Sequence, residues 1–379
     1  MKKSAEHLVV LDQFRGAAIL SVAVFHSLHE AFGFDTLKWN GSMRDFDVSH
    51  TFLYLLPASL GFLGVAVFFV ISGFCVHLSH VRSTESTFGI YIIRRFFRIY
   101  PPYLASLVVF SFIYPWQSID LRQFTGIAQL GSHLALVHNL DARFFYGINP
   151  SFWSIAVEFQ LYLLYPILWC YAKRHGWART LVVTAVIEFM LRAVGAYYPV
   201  AFANDPLPRW VTDSPLVFWF SWCVGATLAE GYLAQRLPAV QKRFLYLLAW
   251  VTITAYFFRP TAVFVFPLAA TSAAYLIAYS LTRSVSPVDR LIMTWPRRVL
   301  SELGIVSYSF YLLHQPLLGL VPRSLKKISS GYAQPSICFL GCLAALVPIY
   351  LLSKLSYRYL ELPSIAVGKR LIKRSCIRG

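Results

Sequence analysis

The sequence predicts an all-α polytopic membrane protein with about ten transmembrane helices. Two observations carry that prediction. Hydrophobic residues make up 57% of the 379-residue chain and charged residues only 13%; with a mean hydropathy of +0.57, this lies outside the balance of soluble domains. Apolar runs of about 20 residues also recur throughout, the length a helix needs to cross a bilayer. They run too long and alternate too loosely for barrel strands.

Taken in order, spans are expected near 9–33, 51–79, 101–117, 151–172, 179–199, 214–234, 244–258, 261–282, 299–320 and 336–356. Met1-Lys2-Lys3 is basic, but the run that follows is too long for a signal peptide and has no small-residue cleavage site. These spans sort the basic residues. One side takes Lys2, Lys3, the Arg82–Arg98 segment, Lys173, Arg174, Arg179, Arg236, Lys242, Arg243, the Arg283–Arg298 segment and the tail Lys369, Arg370, Lys373, Arg374 and Arg378. The other side has scattered residues such as Lys38, Arg44, Arg122, Arg143, Arg209 and Arg259. The positive-inside rule places the rich side, and both termini, in the cytoplasm. Most of the +17 net charge then serves orientation and anionic-lipid contact, not nucleic-acid binding.

Residues 118–150 break the pattern. Gly126–Leu140 is short and contains His133 and His138, and spanning it would invert every later loop. A re-entrant or interfacial segment on the outer side fits instead. No repeat, low-complexity tract or linker divides the chain, so residues 1–379 read as one membrane domain. The cysteines fall in spans or in the tail, which implies no disulfide framework; Cys338 and Cys342, one turn apart, read as packed thiols.

Polar residues inside the spans point to chemistry. Arg15 and His26 lie eleven residues apart, close to three helical turns, so they share one face about 16 Å apart. An Arg at a helix centre costs roughly 2.5–3.5 kcal/mol on insertion scales, so something polar must meet that face. Glu158 enters with the fourth span and His314 with the ninth, and both fall at the depth of His26. Ser72 and the Arg94–Arg98 cluster fall nearer the depth of Arg15. Two layers result: an inner cationic one and an outer acid/base one. Each residue also has a plain reading. His314, His77, His133 and His138 can simply bond neighbouring helices, Glu158 can be a counter-ion to Arg15 or Arg192, and the Arg cluster can be a topology anchor.

Several segments resemble a known family. Leu11-Asp12-Gln13-Phe14-Arg15-Gly16 through Phe25-His26, then Phe68 to Phe74, then Arg94-Arg95-Phe96-Phe97-Arg98-Ile99-Tyr100-Pro101 are similar to successive signatures of the membrane-bound acyltransferase family 3. Trp153-Ser154 with Glu158 and Tyr162 to Pro166, Tyr311 to Pro316, and Leu360 to Pro363 continue the series in order. Gln13 stands where the family usually has Gly, and Phe159 where a second acid is common. The resemblance covers nearly the whole chain.

It implies transfer of an acyl group, by preference acetyl, from cytoplasmic acetyl-CoA to a hydroxyl of a cell-envelope glycan in a bacterial inner membrane. No metal is implied. The expected acceptor is a lipid-linked O-antigen or exopolysaccharide, because no appended SGNH-type domain is expected. Arg95 and Arg98, with Ser72 and Tyr100, would hold CoA, whose phosphates suit guanidinium forks. His26 would be the general base or the first acyl acceptor, with Arg15 and Glu158 beside it. His314, Gln315 and Trp153 would orient the acceptor. The rival reading is a secondary transporter or flippase using intramembrane Arg, His and Glu as an ion path.

Overall fold

The computed structural model describes residues 8–33, 55–83, 87–114, 119–201, 207–237, 240–282, 295–329 and 333–377. Lys2, Lys3, Lys38, Arg44, Arg283, Arg290 and Arg378 lie outside them. Among the described residues the regular elements are all helical. They are α1 (Val9–Phe32), α2 (Gly64–Val81), α3 (Phe88–Val108), α4 (Phe124–Leu134), α5 (Phe152–His175), α6 (Trp177–Ala201), α7 (Trp219–Leu233), α8 (Lys242–Phe257), α9 (Val265–Thr282), α10 (Trp295–Ile305), α11 (Ser307–Ile328), α12 (Pro335–Ser356) and α13 (Leu362–Ile377). A 3₁₀ turn at Ala58–Leu63 leads into α2, and a π turn at Val109–Ile113 extends α3. A second π turn, Tyr357–Glu361, joins α12 to α13.

Eight helical stretches among the described residues are long and apolar enough to cross a bilayer. Two expected spans fall short of that for visible reasons. The span near 244–258 is α8, whose 16 residues reach about 24 Å against about 30 Å of hydrocarbon. The expected 299–320 span is not one helix: it breaks at Val306 into α10 and α11. In α11, Ser307, Ser309, His314, Gln315 and Arg323 interrupt the apolar run. Between α3 and α5, α4 has only 11 residues, about 16 Å, too short to span.

The core gathers around α2, where Phe69, Val70, Ile71 and Phe74 are all buried and packed against α1, α7 and α9. In lipid, helices associate through close packing, and small residues let backbones approach. Two crossings here depend on reciprocal glycines. A Cβ on Gly73 would collide with the Trp222 carbonyl, and one on Gly225 with the Val70 carbonyl, so α2 and α7 touch backbone to backbone. Gly16 meets the Leu300 carbonyl and Gly304 the Asp12 carbonyl, which clamps α1 onto α10 in the same way. Asp12 and Arg15 flank the second crossing, so the packing that needs Gly16 also fixes where Arg15 points.

The basic tail is itself built in. α13 lies along α3, where Ser364 Oγ donates to the Phe97 carbonyl. Deeper in the bundle, Glu188 and Arg192 form a fully buried pair at 2.9 Å. Ser221 satisfies the carboxylate with its backbone N–H at 3.0 Å and its hydroxyl at 2.8 Å.

Candidate active site

One cavity of ≈ 90 Å³ lies where α1, α2, α3, α5 and α11 converge. Each helix contributes one face. Arg15 comes from α1, Ser72 and Cys75 from one turn of α2, and Arg95 and Arg98 from one turn of α3. α5 adds Ser154, Glu158 and Tyr162, and α11 adds Ser307, Tyr308 and Tyr311. The i, i+3 and i, i+4 spacings of these sets are what aims them at one point.

Glu158 is held firmly. Its Oε1 accepts from Ser72 Oγ at 2.7 Å and from the Tyr162 hydroxyl at 2.6 Å, and Trp222 Nε1 donates to Ser72 Oγ at 3.3 Å. Arg15 donates to Asp12 Oδ1 at 2.9 Å and reaches Cys75 Sγ at 3.1 Å. Arg95 is different. It is buried against the Tyr91 and Tyr162 rings, 5.9 and 5.8 Å from their centroids, and its Nε has no hydrogen-bond partner. Among the described residues no carboxylate forms an ion pair with Arg95 or Arg98. Glu361 and Glu158 act on Arg98 only through space. Glu361 sits in the π turn, buried, and accepts from Ser309 Oγ at 3.1 Å. Two guanidinium groups that face a cavity and form no ion pair among the described residues make it anion-seeking.

A second polar layer lies beside it. His26 Nδ1 and His314 Nε2 are 2.8 Å apart and buried. His314 Nδ1 lies 2.8 Å from the Tyr311 carbonyl. A carbonyl can only accept, so His314 Nδ1 carries the proton and its Nε2, in the neutral ring, accepts. His26 must then donate from Nδ1, which leaves the lone pair on His26 Nε2. That is the form a general base requires. Tyr311 belongs to both layers, since its ring stands 5.2 Å from His314 and its hydroxyl 2.6 Å from Ser154 Oγ in the cavity wall.

The structure brings Arg15, Ser72, Arg95, Arg98 and Glu158 onto one cavity and pairs His26 with His314. The expectation that Glu158 contacts His26 does not hold. The carboxylate is bound by Ser72 and Tyr162, at the level of the arginines. α5 starts inside the bundle, with Ser151 and Phe152–Val157 all buried and Asn149 Nδ2 bonded to the Leu312 carbonyl at 2.9 Å. Counting depth from residue 151 as if it lay at the surface therefore puts Glu158 too shallow. Neither Arg15 nor Arg192 is its counter-ion, because they pair with Asp12 and Glu188.

Tyr100 does not line the cavity. It bonds the Leu134 carbonyl at 2.9 Å and stacks on Phe96 at 4.8 Å. Trp153 is buried in aromatic packing, stacked 5.8 Å from Phe145. Gln315 accepts from Ser151 Oγ and ties α11 to the start of α5. His77 is satisfied on both nitrogens by Tyr165 and Glu230, at 3.0 and 2.8 Å. Cys75, Tyr308 and Trp222 were not anticipated. Cys75 and Tyr308 follow from helical spacing to Ser72 and Tyr311, whereas nothing in the sequence marks Trp222. No cluster of three or more His, Cys, Asp or Glu able to hold a metal is found among the described residues.

The profile of the acyltransferase 3 family, described as "Acyltransferase domain", matches residues 8–354. Among curated relatives, the O-acetyltransferase OatA of Staphylococcus aureus is 24% identical over 85% of this chain and 56% of its own length. The peptidoglycan O-acetyltransferase OatA of Listeria monocytogenes is 24% identical over 80% of this chain and 51% of its own. Nodulation protein 10 of Rhizobium leguminosarum bv. viciae is 27% identical over 66% of this chain and 70% of its own. The chain thus spans little more than half the length of the OatA proteins. No solved structure matches. With a profile match running from the foot of α1 almost to the end of α12, over the arginines, Glu158 and both histidines, the chain belongs to the acyltransferase 3 family.

Proposed function

We propose that the chain transfers an acyl group, acetyl by preference, from acetyl-CoA to a hydroxyl of a cell-envelope glycan. The observation that carries the donor is the pair Arg95 and Arg98, which face one cavity and form no ion pair with a carboxylate among the described residues. CoA is a polyanion, and charge-assisted bonds from guanidinium to phosphate are among the strongest available. The acceptor class is supported by two relatives whose names are O-acetyltransferases, one of them of peptidoglycan. A lipid-linked O-antigen or exopolysaccharide remains the preferred acceptor within that class.

In this reading the arginine layer faces the cytoplasm, where CoA is made, and the pantetheine arm runs through the cavity towards Tyr311. The acceptor hydroxyl gives its proton to His26 Nε2 as its oxygen bonds the thioester carbonyl carbon. The C–S bond then breaks, and the departing CoA sulfur takes the proton back from the imidazolium. His314 fixes the tautomer, and Glu158, between Ser72 and Tyr162, balances the arginine charge while no phosphate is present. The test is mass spectrometry of envelope glycans from cells with and without the intact gene. Loss of one acetyl mass from a defined sugar is expected. Identical glycans would overturn the reading.

A further inference from the structure

A groove outside the cavity has the makings of a nucleotide subsite. It measures ≈ 300 Å³, and its walls include His80, Phe88, Tyr91, Tyr165, Trp169 and Lys173. The rings of His80, Tyr91, Tyr165 and Trp169 form one cluster, with neighbouring centroids 5.3 to 6.1 Å apart. Lys173 Nζ lies 5.1 Å over the Trp169 ring. Phe88 and Lys173 are exposed.

The groove neighbours the arginine cavity by way of a crevice that shares lining residues with each. Between them is a narrow crevice lined by Ser79, His80, Ser83, Ile90, Tyr91, Arg94 and Arg95. His80 and Tyr91 belong to both groove and crevice, and Arg95 to both crevice and cavity. Arg94, in the middle, is held by Ser83 Oγ at 2.8 Å. The stations therefore run in order: aromatic surface with Lys173, then Arg94 and Arg95, then the cavity with Arg98.

That order matches the order of chemistry along acyl-CoA: a purine nucleoside with a phosphate, a pyrophosphate, then a thin arm ending in the thioester. We propose that this groove binds the adenine nucleotide end of the acyl donor, with Trp169 and Phe88 against the base, Lys173 on the nucleoside phosphate and Arg94 on the outer phosphate of the pyrophosphate, whose inner phosphate meets Arg95 and Arg98. The crevice is only ≈ 10 Å³, about the space of one water, so seating the pyrophosphate requires Arg94 to leave Ser83. A plain row of interfacial aromatics would account for Trp and Tyr near a span end. It does not account for a groove that shares His80 and Tyr91 with a crevice lined by Arg94 and Arg95.

The proposal rests on the donor assignment above, so its test separates the two. The full-length protein in nanodiscs is titrated with acetyl-CoA, with acetyl-pantetheine, which lacks the nucleotide, and with adenosine 3′,5′-bisphosphate as competitor. Wild type should prefer acetyl-CoA strongly over acetyl-pantetheine, and the bisphosphate should compete. Trp169→Leu, Phe88→Ala and Lys173→Gln should each reduce that preference about tenfold, the scale of a lost base-stacking contact or phosphate charge. Phe88 and Lys173 are exposed, so their variants keep the test valid should Trp169→Leu fold poorly. Strong acetyl-CoA binding with an unchanged preference in Phe88→Ala and Lys173→Gln would overturn the groove and leave the donor intact. Failure of wild type to bind acetyl-CoA would overturn both. Loss of a co-purifying phospholipid from the variants, with nucleotide binding unchanged, would make the groove a lipid site and overturn the proposal.

Discussion

His26 Nδ1 and His314 Nε2 meet at 2.8 Å although 288 residues separate them in sequence. Because the Tyr311 carbonyl takes the proton on His314 Nδ1, the pair sets the tautomer of His26 and leaves Nε2 as its basic nitrogen. His26→Ala should lower transfer by at least the 10²–10⁴-fold that a general base contributes, with acetyl-CoA binding retained. His314→Phe keeps an aromatic ring but removes the acceptor that orients His26, together with the bond to the Tyr311 carbonyl. It should cost about 10²-fold in kcat, leave KM for acetyl-CoA within a few-fold, and shift the acidic limb of the pH–rate profile. Near wild-type turnover in His26→Ala would remove it from the chemistry.

Arg95 and Arg98 should dominate donor affinity. Arg95→Ala and Arg98→Ala are each expected to weaken acetyl-CoA binding about tenfold or more, the scale of a charge-assisted bond. Each should also flatten its dependence on salt. Arg98→Lys keeps the charge but not the fork and should recover only part of the loss. Calorimetry on the purified variants checks this, and unchanged affinity in both Ala variants would return them to plain topology anchors.

Much of this site was legible because charge in a membrane is expensive. Arg15, Arg95, Arg98 and Glu158 had to face something polar, and they line one cavity. What the sequence could not supply was which helix meets which. His26 and His314 were placed at one depth, but their contact is a tertiary fact. Glu158 was misplaced because the segment 119–150 buries the start of α5, and nothing in its composition says how deeply. Tyr100 and Trp153 were misjudged by proximity within a motif. Tyr100 lies two positions beyond Arg98, about 200° around the helix, and so faces α4 instead of the cavity. The break at Val306 carries no proline or charge to announce it.

The α2–α7 crossing predicts a stability effect. Gly73→Ala would drive a methyl into the Trp222 carbonyl, and Gly225→Ala one into that of Val70. Backbone cannot yield as a flexible side chain does, so each should cost about 1–3 kcal/mol, the range for overpacking. The double variant should cost less than the sum, because the first substitution already separates the helices. Gly131 has open space around it, so Gly131→Ala in α4 should be neutral or slightly stabilising. Thermal unfolding in detergent measures all four, and equal melting temperatures would deny the backbone contact.

Glu158→Gln should separate binding from turnover. The amide keeps an oxygen for Ser72 or Tyr162 but removes the one carboxylate that lines the arginine cavity among the described residues. With that competitor gone, the phosphates should bind as tightly or more tightly, so KM for acetyl-CoA should hold or fall. The rate should drop about tenfold or more as Ser72 and Tyr162 lose their charged anchor, a charge-assisted bond being about twice as strong as a neutral one. A raised KM with unchanged kcat would show that Glu158 merely organises the donor site.

The segment between α3 and α5 should respond to pH. His133 and His138 stack face to face at 3.9 Å, both buried, and His133 Nδ1 donates to the Gln129 carbonyl at 2.8 Å. Burial pushes His133 down to about 4. His138 is also lowered, by burial first and by His133 beside it second. A folded pKa below the unfolded one means that the open segment binds protons the closed one refuses. Stability is therefore full above the ordinary value of 6.5 and falls as pH drops from there towards about 4. For His133 alone the loss is at most roughly 3–4 kcal/mol over that window. Hydrogen exchange across residues 119–150 should show the segment closed at pH 7.5 and opening more often at pH 5. His138→Phe keeps an aromatic face that cannot titrate, and it should reduce the pH dependence. Equal protection at both pH values in wild type would mean that the stacked pair opens without taking up protons.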